Sequence, residues 1–481
     1  MPTIVDVLLE ANPDNLELMR DRVQALADKE DPKIEGAPSF VRLQKIPHLH
    51  FISIQIFEDD HFDPLLVFEN NFDGTPDTYW PGVLAQLSDD LRGILACTKE
   101  AKTNAWKKLF DAGSNASLLP FLEAHSCSPS AQHFGAVTNA LPRILRDRDI
   151  FADIQTELGV TGSKYRQLDA VGVQAALHEW ALKKYPWLQQ AEKPTTQQAI
   201  NTYKWSTLRP VLPWLLLAFS LIALLLGSHE LYRVGILPWH GMPGADLILS
   251  FLAGFIAHFV IALVIAFVAL AVILILVGIV AFRELRHLEQ TDFTQSNPQL
   301  SSAQLKLFAA QEDQIVQNHL ASMVLVKPGM LRGFLITNAL RLLHLVVPIF
   351  NWNGYLGSMR TIHFAHWTLV GNSGRLLFLS NFDGSWQSYL DDFVDKAARG
   401  LTLAWGNCVG FPPTKDLVLE GAAHGTQFKA WARLSQTQNV LWYSAYSDLT
   451  VNQIIRNASF LDGLRKTSMQ QKEAEQWAQL L

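Results

Sequence analysis

Two four-residue turns, Asn71-Phe-Asp-Gly74 and Asn381-Phe-Asp-Gly384, hold the carboxylates best placed for chemistry. Each Asp closes a predicted strand and precedes a predicted helix. Asp73 and Asp383 therefore stand beside helix N-termini, where backbone N–H groups also take up anions. The same residues serve a plain turn without any ligand. Asn and Asp bond their own backbone, Gly supplies positive φ, and Thr75 or Ser385 caps the helix that follows. Imidazoles are the other candidates. His363 and His366 are three apart on one predicted strand, so regular geometry sends them to opposite faces and denies them a shared metal. His48 and His50 are two apart and can share a face. His258, inside a long apolar run, reads as a neutral group hydrogen-bonded toward a neighbouring helix. The sequence has no His-Glu-x-x-His, Walker-type loop, dinucleotide fingerprint or Gly-x-Ser-x-Gly elbow, and so names no reaction and no metal.

Aromatic residues gather in the second half: Trp367, Phe378, Phe382, Trp386, Trp405, Trp431, Trp442, Tyr443 and Tyr446. They can line an apolar cavity between sheet and helices, or fill the core of a domain this size. Together with the turns they give the ligand-binding candidates: Asn71, Asp73, Asn381, Asp383, Trp386, Trp405, Trp442 and Tyr443.

The elements that must position these residues come in two matching sets. His50 to Phe57 alternates apolar and polar, Pro64 to Gly74 is its partner strand, and a helix follows from Pro76. Thr361 to Val370, a Gly-Asn-Ser-Gly turn, Arg375 to Gly384 and a helix from Trp386 to about Arg399 repeat that plan. Gln132 to Val137 with the helix Arg143 to Asp153 is echoed by Leu441 to Tyr446 with Asn452 to Asp462. Phe151 and Phe460 fall at matching places. Such a repeat is too long for a solenoid unit and points to duplicated α+β halves of ferredoxin-like type.

Between them lie two apolar runs. Pro210 to Gly227 and Leu247 to Phe282 each exceed or approach the ~20 residues that cross a bilayer as a helix. Lys204, Arg209, Arg283 and Arg286 flank the pair, whereas the connection carries only Arg233, which puts both termini on the cytoplasmic side. Trp205, Trp214 and Trp239 suit interfacial positions. The expected organisation is an N-terminal helical segment (1–40), a first α+β half (41–194), a linker helix (195–209) and a transmembrane helix (210–228). An external connection (229–245), a second transmembrane helix (246–282), a helical connector (283–350) and a second α+β half (351–481) complete it. Within the connector, 301–323 reads as one helix and 331–350 as a second, lying at the membrane surface or between the halves. A formal net charge of −6 excludes binding to nucleic acid through a basic surface, and three widely spaced cysteines exclude a disulfide framework. The start has no basic-then-apolar signal peptide.

The runs Thr361-Ile-His-Phe-Ala-His-Trp367, Leu377 to Phe393 and Trp405-Gly-Asn-Cys-Val-Gly-Phe-Pro412 resemble a family of bacterial membrane proteins without an assigned reaction. More remotely, paired ferredoxin-like units are similar to the dimeric α+β barrel group, which includes haem-binding dye-decolourising peroxidases and chlorite dismutases. That resemblance implies haem as a cofactor, Asp383 as a proton-handling group, and His363, His366 or His424 as iron ligand. The reading is thus an α+β chain of two related ferredoxin-like halves forming a pseudo-dimer, joined by a two-helix transmembrane hairpin in a bacterial inner membrane. Its expected role is to bind a small ligand or partner protein where the halves meet or beside the bilayer. A membrane-tethered haem peroxidase-like oxidoreductase and a scaffold without a pocket are the alternatives.

Overall fold

The computed structural model describes residues 1–32, 38–111, 113–190, 196–214, 216–220, 244–292, 294, 302–350, 359–371 and 374–481 of the 481-residue chain. Asn372 and Ser373 of the second hairpin turn, Trp239, most of the predicted external connection and residues 221–228 of the predicted first span lie outside them. Residues 212–214 and 216–220 of that span are helical.

The chain is mixed α+β with two five-stranded antiparallel sheets. Apolar and β-branched runs make the long strands β1 (Pro2–Glu10), β2 (Leu49–Phe57) and β3 (Leu65–Asp73), with β4 (Ser126–Cys127) at one edge. A fifth strand, β5 (Ala131–Phe134), leaves for the other sheet, which holds β6 (Gln317–Leu325), β7 (Ile362–Val370) and β8 (Arg375–Asp383). Two late strands, Gln436–Thr437 and Leu441–Ser444, complete the set. The first sheet runs Leu441–Ser444, β2, β3, β1, β4; the second runs β5, β7, β8, β6, Gln436–Thr437. The sheets agree in register as well: β1 meets β3 from Pro2↔Asp73 to Glu10↔Leu65, and β6 meets β8 from Gln317↔Asp383 to Leu325↔Arg375.

Two expectations fail here. Residues 2–10 are a strand at the heart of the first sheet, not part of a helical segment, although Leu16–Glu30 is the helix expected. The helix expected over 301–323 stops at Gln311, and Gln317–Leu325 is a strand. Both strands lie under cover on two faces and so lack the polar-out alternation that betrays a half-exposed strand.

Each sheet borrows one strand. β5 belongs to the first half in sequence yet pairs with β7, and Leu441–Ser444 belongs to the second yet pairs with β2. Gly135 marks where the first exchange is tightest. A Cβ there would lie 2.0 Å from the Ile362 carbonyl oxygen, so only glycine lets the chain pass.

Helices cover the outer faces. Leu16–Glu30 and Pro76–Leu95 close the first core, where Tyr79 stacks on Phe72 with ring centroids 3.8 Å apart. Met330–Phe350 and Trp386–Trp405 close the second, where Tyr389 stacks on Phe382 at 3.9 Å. Both expected caps are present: Thr75 forms a capping box with Thr78 and has Pro76 behind it, and Ser385 Oγ accepts from the Ser388 N–H at 3.2 Å. Gly74 and Gly384 have φ of +106° and +78°. A third helical cluster joins Leu141–Tyr165 and Ala170–Lys184 to Val451–Leu464 and Gln471–Ala478, with Phe151 and Phe460 packed edge to face at 5.2 Å.

By contact the chain divides into Met1–Tyr203, Thr294–Thr414 and Val418–Leu481 as one unit and Lys204–Phe293 with Lys415–Leu417 as the other. The second unit is dominated by a 47-residue helix, Gly244–Gln290, about 70 Å long at 1.5 Å per residue. From Leu263 to Phe282 its described apolar side chains are largely exposed, among them Ile265, Leu270, Leu274 and Val280. Two helical stretches among the described residues are long and apolar enough to cross a membrane, Ile261–Gln290 and Met330–Pro348. Only the first is bare. Met330–Phe350 buries Ile336 and Leu340 in the second core, so it backs the second sheet instead of lying between the halves.

Candidate functional site

The inner faces of the two sheets meet in a layer whose ends are apolar. Phe57, Leu65, Val67, Ala321, Leu377 and Leu379 pack at one end, and Ile4, Phe51, Phe134, Phe364 and Tyr446 at the other. Charged and polar side chains fill the middle. Asp6 of β1 and Glu69 of β3 are direct cross-strand neighbours and are fully buried. Two carboxylates so placed repel each other. The facing sheet supplies the remedy. His366 of β7 stands between them, its Nε2 3.0 Å from Asp6 Oδ2 and its Nδ1 3.9 Å from Glu69 Oε1. His319 of β6 places Nε2 2.7 Å from Glu69 Oε2.

Neutral donors complete the set. Ser53 Oγ and Asn71 Nδ2 donate to Glu69 at 2.5 and 2.8 Å, Asn381 Nδ2 donates at 3.3 Å, and Thr368 Oγ1 donates to Asp6 at 2.8 Å. Trp442 Nε1 donates to Asn381 Oδ1 at 2.8 Å. Burial opposes charge at Glu69, but attraction to His319 and a hydrogen bond from it, helped by His366 and Ser53, hold its pKa down to about 2. Burial likewise opposes charge at His366, and the neighbouring Asp6 and Glu69 carboxylates raise it all the same.

The two turn aspartates sit at the apolar, Tyr446 end. Asp73 Oδ2 accepts from the Leu141 N–H at 2.7 Å and lies 2.9 Å from His50 Nε2; Asp383 Oδ2 accepts from the Val451 N–H at 2.7 Å, and its Oδ1 lies 2.7 Å from His363 Nε2. Each therefore satisfies the first N–H of a distant helix and orients one imidazole, and the Tyr446 hydroxyl lies 2.9 Å from His50 Nδ1. His363 and His366 do not face opposite sides. A β-bulge between Ile362 and Phe364 turns His363 inward, so both rings enter the inter-sheet layer, and β2 has the matching irregularity between Leu49 and Phe51, at His50. His48, at φ +64°, lies outside β2 and is exposed, so it shares no face with His50.

Space decides what this layer can do. Beside His50, His363, Phe364 and Tyr446 the open volume is about 10 Å³, room for about one water. Small-molecule sites occupy about 300–1,000 Å³. Haem, the group implied by the remote resemblance, needs such a volume beside an imidazole free to bind iron. His363 and His366 face carboxylates in the filled layer, and His424 lies on the surface 3.9 Å from Glu420. These residues do not fit haem. Among the described residues no cluster of three His, Cys, Asp or Glu side chains could hold a metal ion.

The remaining candidates are dispersed. Asn71, Asp73, Asn381, Asp383 and Trp442 belong to the inter-sheet layer. Tyr443 packs in the first core beside Phe40, and Trp405 lies in the second core between Trp367 and Trp431. Trp386 lies outside that layer, under the Arg433 guanidinium at 3.8 Å. Trp386 instead lines a separate surface pocket with Glu312, Lys429 and Arg433.

A roomier site lies on the outer side of the second sheet. Between the helices Met330–Phe350 and Trp386–Trp405 a pocket of about 500 Å³ is lined by Leu343, Val346, Val347, Trp367, Ala398 and Leu401, with Asp395, Lys396 and Arg399 also on its wall. Trp367 is 4% exposed, and its indole N–H meets no acceptor among the described residues. Trp367 belongs to the aromatic set conspicuous in the sequence. The aliphatic wall could not be foreseen, because Leu343, Val346 and Val347 read as one more stretch of apolar helix. Asp6, Glu69 and His319 were equally hidden: Asp6 is a single acid in an apolar strand, Glu69 opens Glu-Asn-Asn, His319 closes Gln-Asn-His, and nothing local says that a facing sheet receives them.

The chain matches no protein-family model, no curated protein and no solved structure.

Proposed function

We propose that this protein is a membrane-anchored binding protein that takes an apolar small molecule in the pocket between the helices Met330–Phe350 and Trp386–Trp405. The carrying observation is that pocket: about 500 Å³, mostly aliphatic and aromatic, with a few charged groups. The anchor is Gly244–Gln290. A helix with apolar residues exposed on every side has no stable place in water, whereas a bilayer rewards it. In this reading the sheets lie on the cytoplasmic side of a bacterial inner membrane, which the Lys and Arg at the flanks of the hydrophobic segment support.

In this reading the two sheets are duplicated ferredoxin-like halves forming a pseudo-dimer. Support comes from the shared strand order, the two bulges, the twin Asp–imidazole pairs and the twin aromatic stacks. The filled layer between the halves then serves as the joint that holds them, and the ligand sits on the flank.

The test uses the full-length chain held in amphipol and an environment-sensitive apolar dye. Bright, saturable dye binding that is lost on filling the pocket with Ala398→Trp is the expected result. Dye binding that is absent, or unchanged in Ala398→Trp while circular dichroism shows an intact fold, would remove the pocket from consideration.

A further inference from the structure

The helix Met330–Phe350 has one side left open among the described residues. Met330, Phe334 and Leu342 are 94%, 65% and 50% exposed, and Arg341 is exposed among them. At 3.6 residues per turn these four fall within an arc of about 60°. Arg332, Ile336, Ala339 and Leu340 are buried on the opposite side, where Ile336 and Leu340 join the second core and Arg332 donates to Asn407 Oδ1 at 3.3 Å. That buried side keeps the helix from crossing a bilayer, although Met330–Pro348 is long and apolar enough to do so.

Charge points to what covers the open side. Between Asp313 and Asp383 the chain carries Lys327, Arg332, Arg341, Arg360 and Arg375 and neither Asp nor Glu. Arg341 thus stands on an acid-free helix, and it forms no ion pair among the described residues. The acid on the neighbouring helix, Asp395, lines the flank pocket with Leu343 and Val346, on another side of Met330–Phe350. Apolar side chains set around an unpaired guanidinium suit a membrane interface. There the hydrocarbon sinks below the headgroups and the cation meets lipid phosphate.

We infer that this side of Met330–Phe350 rests on the cytoplasmic leaflet, with Phe334 and Leu342 at the acyl-chain boundary and Arg341 on anionic headgroups. The inference rests on the membrane-anchored reading above and does not depend on what fills the pocket. One arginine and three apolar side chains make a weak, reversible contact, so the long helix remains the anchor.

The experiment uses the full-length chain in phosphatidylcholine nanodiscs with and without phosphatidylglycerol. Cys97, Cys127 and Cys408 are replaced by Ala, and a nitroxide is attached at Phe334→Cys, Leu342→Cys or, as a control on the exposed side of Pro76–Leu95, Asp89→Cys. Circular dichroism checks each fold. With phosphatidylglycerol present, the labels at 334 and 342 should collide with oxygen more than with a water-soluble nickel chelate, and the label at 89 should do the reverse. Omitting phosphatidylglycerol, or introducing Arg341→Gln, should shift the ratio of lipid-held to water-exposed signal about fivefold toward water, the worth of one cation at an anionic surface. Labels at 334 and 342 as open to nickel as the one at 89 would overturn the inference. Shielding of both from oxygen and nickel alike would overturn it too, because protein, such as a second copy of the chain, would then cover the face. Lipid contact that ignores both phosphatidylglycerol and Arg341→Gln would overturn the anionic preference. A folded chain that does not enter the discs would overturn the anchor itself, and this contact with it.

Discussion

Buried carboxylates survive in this protein because imidazoles from the facing sheet neutralise them, and that arrangement has a pH signature. The Glu69 pKa is held from 4.5 down to about 2, a shift worth about 3 kcal/mol of stability when the group is ionised. This contribution is complete above about 4.5 and is lost as pH falls toward 2. Asp73, also lowered against burial by His50 and the Leu141 N–H, acts in the same direction. His366 has the opposite sign. Its raised pKa stabilises the fold below the ordinary value of 6.5, and that gain disappears as pH rises through the raised value. Stability measured as a urea midpoint against pH should therefore peak between about 4.5 and 6.5. Glu69→Gln should lower the plateau and flatten the acid limb, and His366→Gln should flatten the alkaline limb. A midpoint independent of pH from 3 to 8 would mean that the network carries no charge.

Among the elements, the exchanged strands couple the halves. Tyr443 comes from the end of the chain yet lies in the first core, on a strand that registers Leu441↔Ile54 through Ser444↔Phe51. Removing a buried aromatic ring costs about 3–5 kcal/mol. Tyr443→Ala should therefore lower stability by that amount. Hydrogen exchange should show the lost protection first in Leu49–Phe57, about 390 residues earlier in sequence, and protection lost only near residue 443 would contradict the coupling. Sequence reading located β3, β8, their turns and the helices behind them, because Asn-Phe-Asp-Gly, Thr75-Pro76 and Ser385 are strong local punctuation. It missed β1 and β6. Pro2–Glu10 is covered on both sides, and Gln317-Asn-His319 places polar residues where the partner sheet, not water, receives them. The exchange itself was unreadable, since four-residue strands carry no period and their partners are set by long-range register. The same limit hid the chemistry of the joint: Asn71, Asp73, Asn381 and Asp383 stood out as a repeated turn, whereas Glu69 gained meaning only when His319 and His366 faced it.

For the whole molecule, the charges explain why the two sheets prefer each other. Acids stand on the inner face of the first, Asp6 and Glu69, opposite imidazoles on the second, His319 and His366; the second sheet has Ala321 and Leu379 where the first has its acid pair. Two copies of the first face would bring four carboxylates together, and two copies of the second would leave imidazoles without their anions. Complementary charge thus selects the pairing, and the exchanged strands lock it. If this joint suffices, the long helix is needed for location and not for folding. Replacing residues 204–293 with a flexible Gly/Ser linker of about 20 residues should release the protein from the membrane fraction. The product should unfold in one cooperative step and keep hydrogen-exchange protection in both sheets. Its loss of the long apolar helix should leave the Glu69-dependent acid limb intact, since every partner of Glu69 named above lies outside the excised stretch. Aggregation that persists after the excision, with both sheets unprotected, would instead show that the sheets rely on the helix to fold. Retention in the membrane fraction with the fold intact would move the anchor elsewhere, and the partly exposed helix Met330–Phe350 would then be the segment to examine.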